Sequence, residues 1–309
     1  MPRICIVGCG AVGCLLAGFL QEALGIPPVC IVRRREHYEA LKKEGCFIEG
    51  KIDWTVRTES YMAGELEEGS CDIAIVAVKA YDAKAALEEA SRLSNTLALA
   101  SNGFVDVKPL LNRGIRVLGV IVEYGVIRKG DNRVEVTGLG RLIIGSYRGG
   151  VKDEAEQLAV ILSRGGADVV YVDDIIPYQW AKAAVNAGLN AVTAILGVRN
   201  RVVTENEWAR SLALRAAEEV SSVAQAMGIR LPYTPGDYVL EIASKTGLNK
   251  SSMLQDVEAG RRTEVEEIIG YVIKRGEELG VSTPILKYLY MLIKALEETG
   301  GRVCHTGRR

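Results

Sequence analysis

Histidine is almost missing from this 309-residue chain, which has only His37 and His305. That scarcity sets aside a Ser-His-Asp hydrolase, a multi-histidine metal site and a dehydrogenase that passes its proton through histidine; no metal is expected. His305 stands in a C-terminal run of Gly and Arg where no packed site is expected. Net charge is equally scant. The 38 Lys plus Arg against 39 Asp plus Glu leave a formal −1, so the electrostatic motive for binding nucleic acid or a membrane surface is absent. A small molecule recognised locally suits such a surface better. Long apolar runs are missing too. The stretch 183–198 is interrupted by Asn186 and Asn190 and falls short of the ~18 apolar residues a spanning helix needs. The N-terminal run to Leu20 contains Gly8, Gly10, Gly13 and Gly18 and leads into Gln21-Glu22, so no signal peptide is expected. No C-x-x-C pair occurs among Cys5, Cys9, Cys14, Cys30, Cys46, Cys71 and Cys304, which are odd in number and fall mostly in apolar runs. They read as reduced, buried thiols of a cytoplasmic protein.

What is present is the composition of a folded globular chain, 48% hydrophobic and 25% charged, long enough for two domains. Strand-like and helix-like segments alternate from Arg3 to about Asp173: RICIVG (3–8), a helix over 11–24, PVCIV (28–32), DIAIVAVK (72–79), a helix near 82–93, TLALASN (96–102) and GADVVYVDD (166–174). This alternation predicts a doubly wound, Rossmann-like α/β sheet domain over 1–173. Glycine-punctuated β-rich runs at 46–57 and 117–146 predict hairpin strands added to that sheet. Beyond 174 the spacing is helical near 177–199, 205–228, 235–246, 252–259, 263–279 and 284–298, so residues 174–309 read as an all-α domain.

Gly8-Cys9-Gly10-Ala11-Val12-Gly13 follows a strand and opens a helix, the context that makes G-x-G-x-x-G a dinucleotide site. The first glycine permits the tight turn, the second lets backbone approach a pyrophosphate, and the third allows close helix–sheet packing. After the second strand comes Arg33-Arg34-Arg35 in place of the acidic residue that would hold a ribose 2′-hydroxyl. Positive charge there suits the 2′-phosphate of NADP; in the alternative, Glu36 takes the ribose and NAD replaces NADP. Lys79 and Asn102 end two strand runs, where such sheets present a ligand crevice. Cys9 reads as a small packing residue.

WAKAAVNAGLNAVTAIL (180–196) is apolar all round except for Lys182, Asn186, Asn190 and Thr193. The first three recur every fourth residue, and at about 100° per residue they drift only about 80° around the axis. A cation and two amides on one face of a buried helix need a polar cavity, because each unsatisfied group costs roughly 2 kcal/mol or more. In SSMLQDVEAGRRTEVEEIIGYVI (251–273), Ser252-x-x-Gln255 and Thr263-x-x-Glu266 match capping boxes, and Glu264 complements the second helix dipole or serves a site.

Together GCGAVG (8–13), VKAYD (78–82), SNGF (101–104), KAAVNAGLNAVTAI (182–195) and SSMLQDVEAGRRTEVEEIIG (251–270) resemble the ketopantoate reductase (2-dehydropantoate 2-reductase) family over most of the chain. The resemblance implies a Rossmann-like domain followed by a helical domain related to the C-terminal part of 6-phosphogluconate dehydrogenase. It implies NADPH-dependent reduction of 2-dehydropantoate to pantoate for coenzyme A biosynthesis, and a homodimer. Lys182 would be the general acid, Asn186 and Asn190 would position substrate, Ser252 would bind its carboxylate end, and Glu264 would orient Lys182 and contact substrate and cofactor. Gly8 to Gly13, Lys79, Asn102 and either Arg33 or Arg34 would hold the cofactor, with Asn102 also reaching substrate. Where the family often has Thr-rich and His-containing strands, Glu123, Glu135 and Val136 stand here, a departure that bears on substrate selectivity. Two other readings remain at this stage: a related NAD(P)-dependent hydroxyacid dehydrogenase acting on another oxo acid, and a non-catalytic NADPH-binding regulator.

Overall fold

The computed structural model describes residues 2–147 and 151–300; Cys304 and His305 lie outside the described residues. The chain divides into two compact units, Met1–Ile175 and Ile176–Arg309.

In the first unit the strands are β1 (Ile4–Val7), β2 (Val29–Val32), β3 (Cys46–Gly50), β4 (Trp54–Val56), β5 (Glu59–Met62), β6 (Ile73–Val76), β7 (Thr96–Leu99), β8 (Arg116–Val122), β9 (Gly125–Arg128), β10 (Arg133–Gly138), β11 (Leu142–Ser146) and β12 (Val169–Asp174). Its helices are α1 (Ala11–Leu24), α2 (Arg35–Glu44), α3 (Ala83–Leu93), α4 (Lys108–Asn112) and α5 (Lys152–Arg164). The main sheet runs β12-β11-β8-β7-β6-β1-β2-β5. Strands β1, β2, β6 and β7 are buried at every residue, as their unbroken apolar runs require in a parallel sheet covered on both faces. The expected hairpin additions divide differently. Only β8 and β11 join the main sheet, pairing antiparallel; β4-β3-β10-β9 form a separate four-stranded sheet laid against α1. Gly and alternating polarity mark strands but carry no information on which sheet receives them.

The reading of all cysteines as reduced is also corrected, because Cys5 and Cys71 form a disulfide with Cα atoms 6.0 Å apart. Cys5 lies in β1 and Cys71 two residues ahead of β6, its parallel neighbour, so the sheet brings together thiols 66 residues apart in sequence. That proximity depends on strand order, which cysteine spacing cannot reveal.

The described residues of the second unit form no strand. Its elements are α6 (Ile176–Val185), a π turn (Asn186–Asn190), α7 (Ala191–Leu196), α8 (Val202–Glu205), α9 (Glu207–Ala226), α10 (Pro235–Lys245), α11 (Ser252–Glu258), a second π turn (Glu266–Gly270), α12 (Tyr271–Leu279) and α13 (Pro284–Glu298). Helix α9, capped by Asn206 Oδ1 accepting from Trp208 N and Ala209 N, buries Ala209, Ala213, Ala216, Ala217 and Ala224. This face of small residues lets α6, the first π turn, α10, α12 and α13 all pack on it at close range.

Candidate active site

In the first unit the order of the sheet reverses at β1, with β2 on one side and β6 on the other, which opens a crevice at the strand carboxyl ends. The glycine loop sits there. Gly8 has φ +97°, a conformation open to glycine, and a Cβ on it would strike Val78 Cγ1 of the neighbouring loop. A Cβ on Gly13 would strike the carbonyl oxygen of Gly8, so the helix start must lie against the strand end. Gly10 is the opposite case. Nothing lies within 4 Å of where its Cβ would stand, leaving the entrance to α1 open for a pyrophosphate on the helix N-terminus. Hydrogen bonds from Gly8 N to Ile31 O (2.9 Å), Ala77 N to Val7 O (2.9 Å) and Ser101 Oγ to Val78 O (2.7 Å) hold the loops after β1, β6 and β7 side by side. Half-buried Lys79 and Asn102 belong to the latter two loops, so the structure brings Lys79 and Asn102 to the edge where Gly8 to Gly13 begin. These residues fit a dinucleotide.

Beneath the loop lie four free, buried thiols, Cys9, Cys14, Cys30 and Cys46. Cys9 Sγ is 3.7 Å from Cys14 Sγ and 3.1 Å from Cys30 Sγ. The neighbouring Cys14 and Cys30 thiols hold Cys9 well below the ordinary thiol range against its burial. Contacts with Cys46 and Cys9, together with burial, push Cys14 up; contact with Cys9 and burial do the same to Cys30. Cys9, Cys14 and Cys30 pack sulfur against sulfur at the base of the turn. His37 is buried nearby, its Nε2 without a partner, and desolvation holds its pKa below the usual value.

Arg33 and Arg34 are exposed at the end of β2, where α2 starts one residue later. Arg33 pairs with Asp82 at 2.8 Å and Arg34 with Asp131 at 3.1 Å, so each guanidinium is held beside the crevice by a carboxylate the sequence reading did not single out. Replacing both arginines with glutamine is expected to raise the KM for NADPH about 10- to 100-fold, the scale of one lost charge-assisted hydrogen bond. NADH use should change less than about twofold, since it lacks the extra phosphate. Initial rates with the two cofactors check this, and a wild type that prefers NADH would sink the 2′-phosphate assignment.

The second unit carries the remaining residues. Lys182 is half-buried near the end of α6, Asn186 is buried at the head of the first π turn, and Asn190 closes it. Asn190 Nδ2 donates to Asn186 Oδ1 at 2.8 Å. Regular α-helical spacing, assumed for this stripe, is corrected here: Ala191 N reaches back five residues to Asn186 O, and the widened turn resets the faces of α6 and α7. The capping expectations are corrected as well. The cap of α11 is Ser251, whose Oγ accepts from Leu254 N at 3.2 Å, leaving Ser252 exposed in the first turn. Glu266 does not close a box with Thr263. It accepts from the hydroxyl of Tyr290, which that contact pushes up to about 12, while Thr263 donates its N–H and hydroxyl to Glu297 Oε1 at 2.7 Å each. Burial works to raise Glu297, but the hydrogen bonds from Lys294 and Thr263 prevail and hold it below the ordinary carboxylate range. Glu297 thereby anchors the segment that carries buried Glu264, a role no local signal in α13 announces. The two π turns pack against each other, and both fall inside the two most distinctive sequence stretches.

The model of the ketopantoate reductase PanE/ApbA family matches residues 4–149, and that of the ketopantoate reductase PanE/ApbA C terminal matches residues 174–297. This chain belongs to the ketopantoate reductase family. The 2-dehydropantoate 2-reductase of Pyrobaculum aerophilum is 37% identical over 305 residues, covering 98% of this chain and 99% of its own. Among solved structures, the PanE/ApbA family ketopantoate reductase of Ralstonia eutropha JMP134 superposes with TM-score 0.84 at 26% identity, over 96% of this chain and 99% of that one. A D-mandelate dehydrogenase described with NADH and anilino(oxo)acetate reaches TM-score 0.86 at 23% identity, over 96% of this chain and 99% of that one, a likeness of fold alone. Like the matched ketopantoate reductases, this chain has an N-terminal Rossmann-like sheet unit followed by a helical unit. Among its described residues no helix is long and apolar enough to cross a membrane.

Proposed function

We propose that this member of the ketopantoate reductase family reduces 2-dehydropantoate to pantoate with NADPH, within pantothenate and coenzyme A biosynthesis. The observation that carries this reading is the Lys182, Asn186 and Asn190 set: a half-buried cation and two amides, one donating to the other, among the mostly buried apolar residues of 180–194. Such groups are costly in a core unless polar partners meet them, and a polar substrate is a partner of that kind. On this reading residues 1–173 supply most of the cofactor residues and 174–309 most of the substrate residues.

NADPH, when bound, supplies the hydride, and the glycine loop, Arg33 or Arg34, Lys79, Asn102 and Glu264 hold it. As negative charge grows on the ketone oxygen, protonated Lys182 stabilises it and donates a proton from Nζ, leaving a neutral amine that solvent reprotonates. Asn186 and Asn190 orient the ketone, Asn102 assists, Ser252 binds the carboxylate with its hydroxyl, and Glu264 orients Lys182. Positioning of this kind is where much of the rate gain arises.

The test is the loss of NADPH absorbance with 2-dehydropantoate, compared with 3-oxo acids and pyruvate. Preference for 2-dehydropantoate is expected. Faster turnover of another oxo acid would favour a related hydroxyacid dehydrogenase, and turnover of none would favour an NADPH-binding regulator, which needs the glycine loop but no half-buried lysine.

A cytoplasmic setting is supported by four unpaired buried thiols and by the cofactor. A homodimer is supported by exposed Tyr288, Met291 and Leu292, an apolar stripe along α13 that a second copy would cover; the mass in solution tests it.

A further inference from the structure

Thr193 is the one member of the polar set in 180–196 that the proposed chemistry leaves without a task. It is fully buried, and its Oγ1 lies 2.8 Å from Leu189 O, 3.1 Å from Asn190 O and 2.8 Å from Ser251 Oγ. Ser251, itself buried, caps α11 through Leu254 N and sits 3.4 Å from Asn190 O. Two hydroxyls therefore join the π turn that carries Asn186 and Asn190 to the residue immediately before Ser252.

We infer that Thr193 and Ser251 form a positioning pair, which fixes the spacing between the amides that orient the substrate's ketone and the Ser252 hydroxyl that binds its carboxylate. The inference rests on the proposed reading of Asn186, Asn190 and Ser252. The physical argument is one of rigidity. A π turn weakens the regular backbone ladder, and Leu189 O and Asn190 O lie in that widened stretch. The single proton of the Thr193 hydroxyl has Leu189 O, Asn190 O and Ser251 Oγ all within reach, so it ties the turn to a neighbouring helix, where an apolar residue could only pack against it. Buried hydroxyls that satisfy one another favour a single arrangement, and removing either leaves the other and a carbonyl under-satisfied. Neither residue touches substrate on this account; each acts through its neighbour.

The experiment compares Thr193→Val, Thr193→Ser, Ser251→Ala and the Thr193→Val/Ser251→Ala double variant in the full chain. Thr193→Val, close to isosteric, is expected to raise the KM for the oxo acid about tenfold, the scale of one buried hydrogen bond, with the KM for NADPH unchanged. Thr193→Ser restores the hydroxyl and should return the oxo-acid KM to within about twofold of wild type. Ser251→Ala should match Thr193→Val, and the double variant should lose little more than either single, because the pair acts as one unit. Melting temperatures are measured alongside. Variants that lose melting temperature while both KM values stay at wild type would show a purely structural role and overturn the inference, as would additive losses in the double variant. The rates are read on whichever 2-oxo acid the wild type reduces fastest. Failure with 2-dehydropantoate alone thus counts against the proposed substrate, whereas an unshifted oxo-acid KM in Thr193→Val counts against the pair. Should no 2-oxo acid be turned over, hydrogen exchange at the Ala191 and Leu254 amides decides: faster exchange of both in Thr193→Val supports the pair, and unchanged exchange overturns it.

Discussion

Lys182→Ala is expected to lower kcat by about 10²–10⁴-fold, the usual scale for loss of a general acid. NADPH affinity should change little, since the glycine loop and Arg33 and Arg34 belong to the other compact unit. Among the described residues the one histidine is His37 of α2 in the first unit, which is buried with its pKa lowered by desolvation and so is a poor substitute proton donor. Lys79→Ala is the contrast. It should act mainly on the cofactor's KM, because Lys79 stands in the loop after β6. A Lys182→Ala enzyme that kept more than about a tenth of wild-type kcat, with a deuterated-NADPH isotope effect showing chemistry to be rate-limiting, would falsify the role.

Two glycines three residues apart, Gly10 and Gly13, should fail in opposite ways. Gly10→Val places its side chain where nothing stands within 4 Å, at a residue whose φ of −77° suits any amino acid, so the fold and its melting temperature should be untouched. The added methyls would occupy the space a pyrophosphate needs. Loss of one or two charge-assisted hydrogen bonds of roughly 1.5–3 kcal/mol each predicts NADPH affinity about 10- to 10⁴-fold weaker. Gly13→Ala instead drives a methyl into the Gly8 carbonyl, a backbone atom that cannot swing aside, and should cost about 1–3 kcal/mol of stability through the displaced helix start. Titration of NADPH fluorescence together with thermal melts separates the two. If Gly10→Val binds NADPH as wild type does, the pyrophosphate does not pass over Gly10.

Much of the candidate site is legible in the sequence. The loop Gly8 to Gly13 could be read because its chemistry is local: a strand, a turn and a helix start occur consecutively in sequence. Lys182, Asn186 and Asn190 stood out because polar side chains in an apolar helix are costly without polar partners. Arg33 and Arg34 were visible as charge of the wrong sign for NAD. Their partners Asp82 and Asp131 were not, because these acids lie 49 and 97 residues away and meet the arginines only once β2 is in the sheet.

By itself the sequence determined the two-unit plan, the strands β1, β2, β6 and β7, the extent of α1 at Ala11–Leu24, and the residue types available for catalysis. Those properties follow from hydrophobic period and turn chemistry, which act over a few neighbouring residues. Only the tertiary structure decided that Cys5 and Cys71 meet, that β3, β4, β9 and β10 leave the main sheet, and that Ser251 caps α11. It also decided the π turns at Asn186–Asn190 and Glu266–Gly270, which shift side chains that a regular helix would place elsewhere. Apart from the Ser251 bond to Leu254 N, these features involve partners distant in the chain: a neighbouring strand, the alanine face of α9, or the hydroxyl of Thr193 against Ser251. Packing and hydrogen-bond satisfaction among such partners outweigh the preference of any one segment, and no local pattern encodes them.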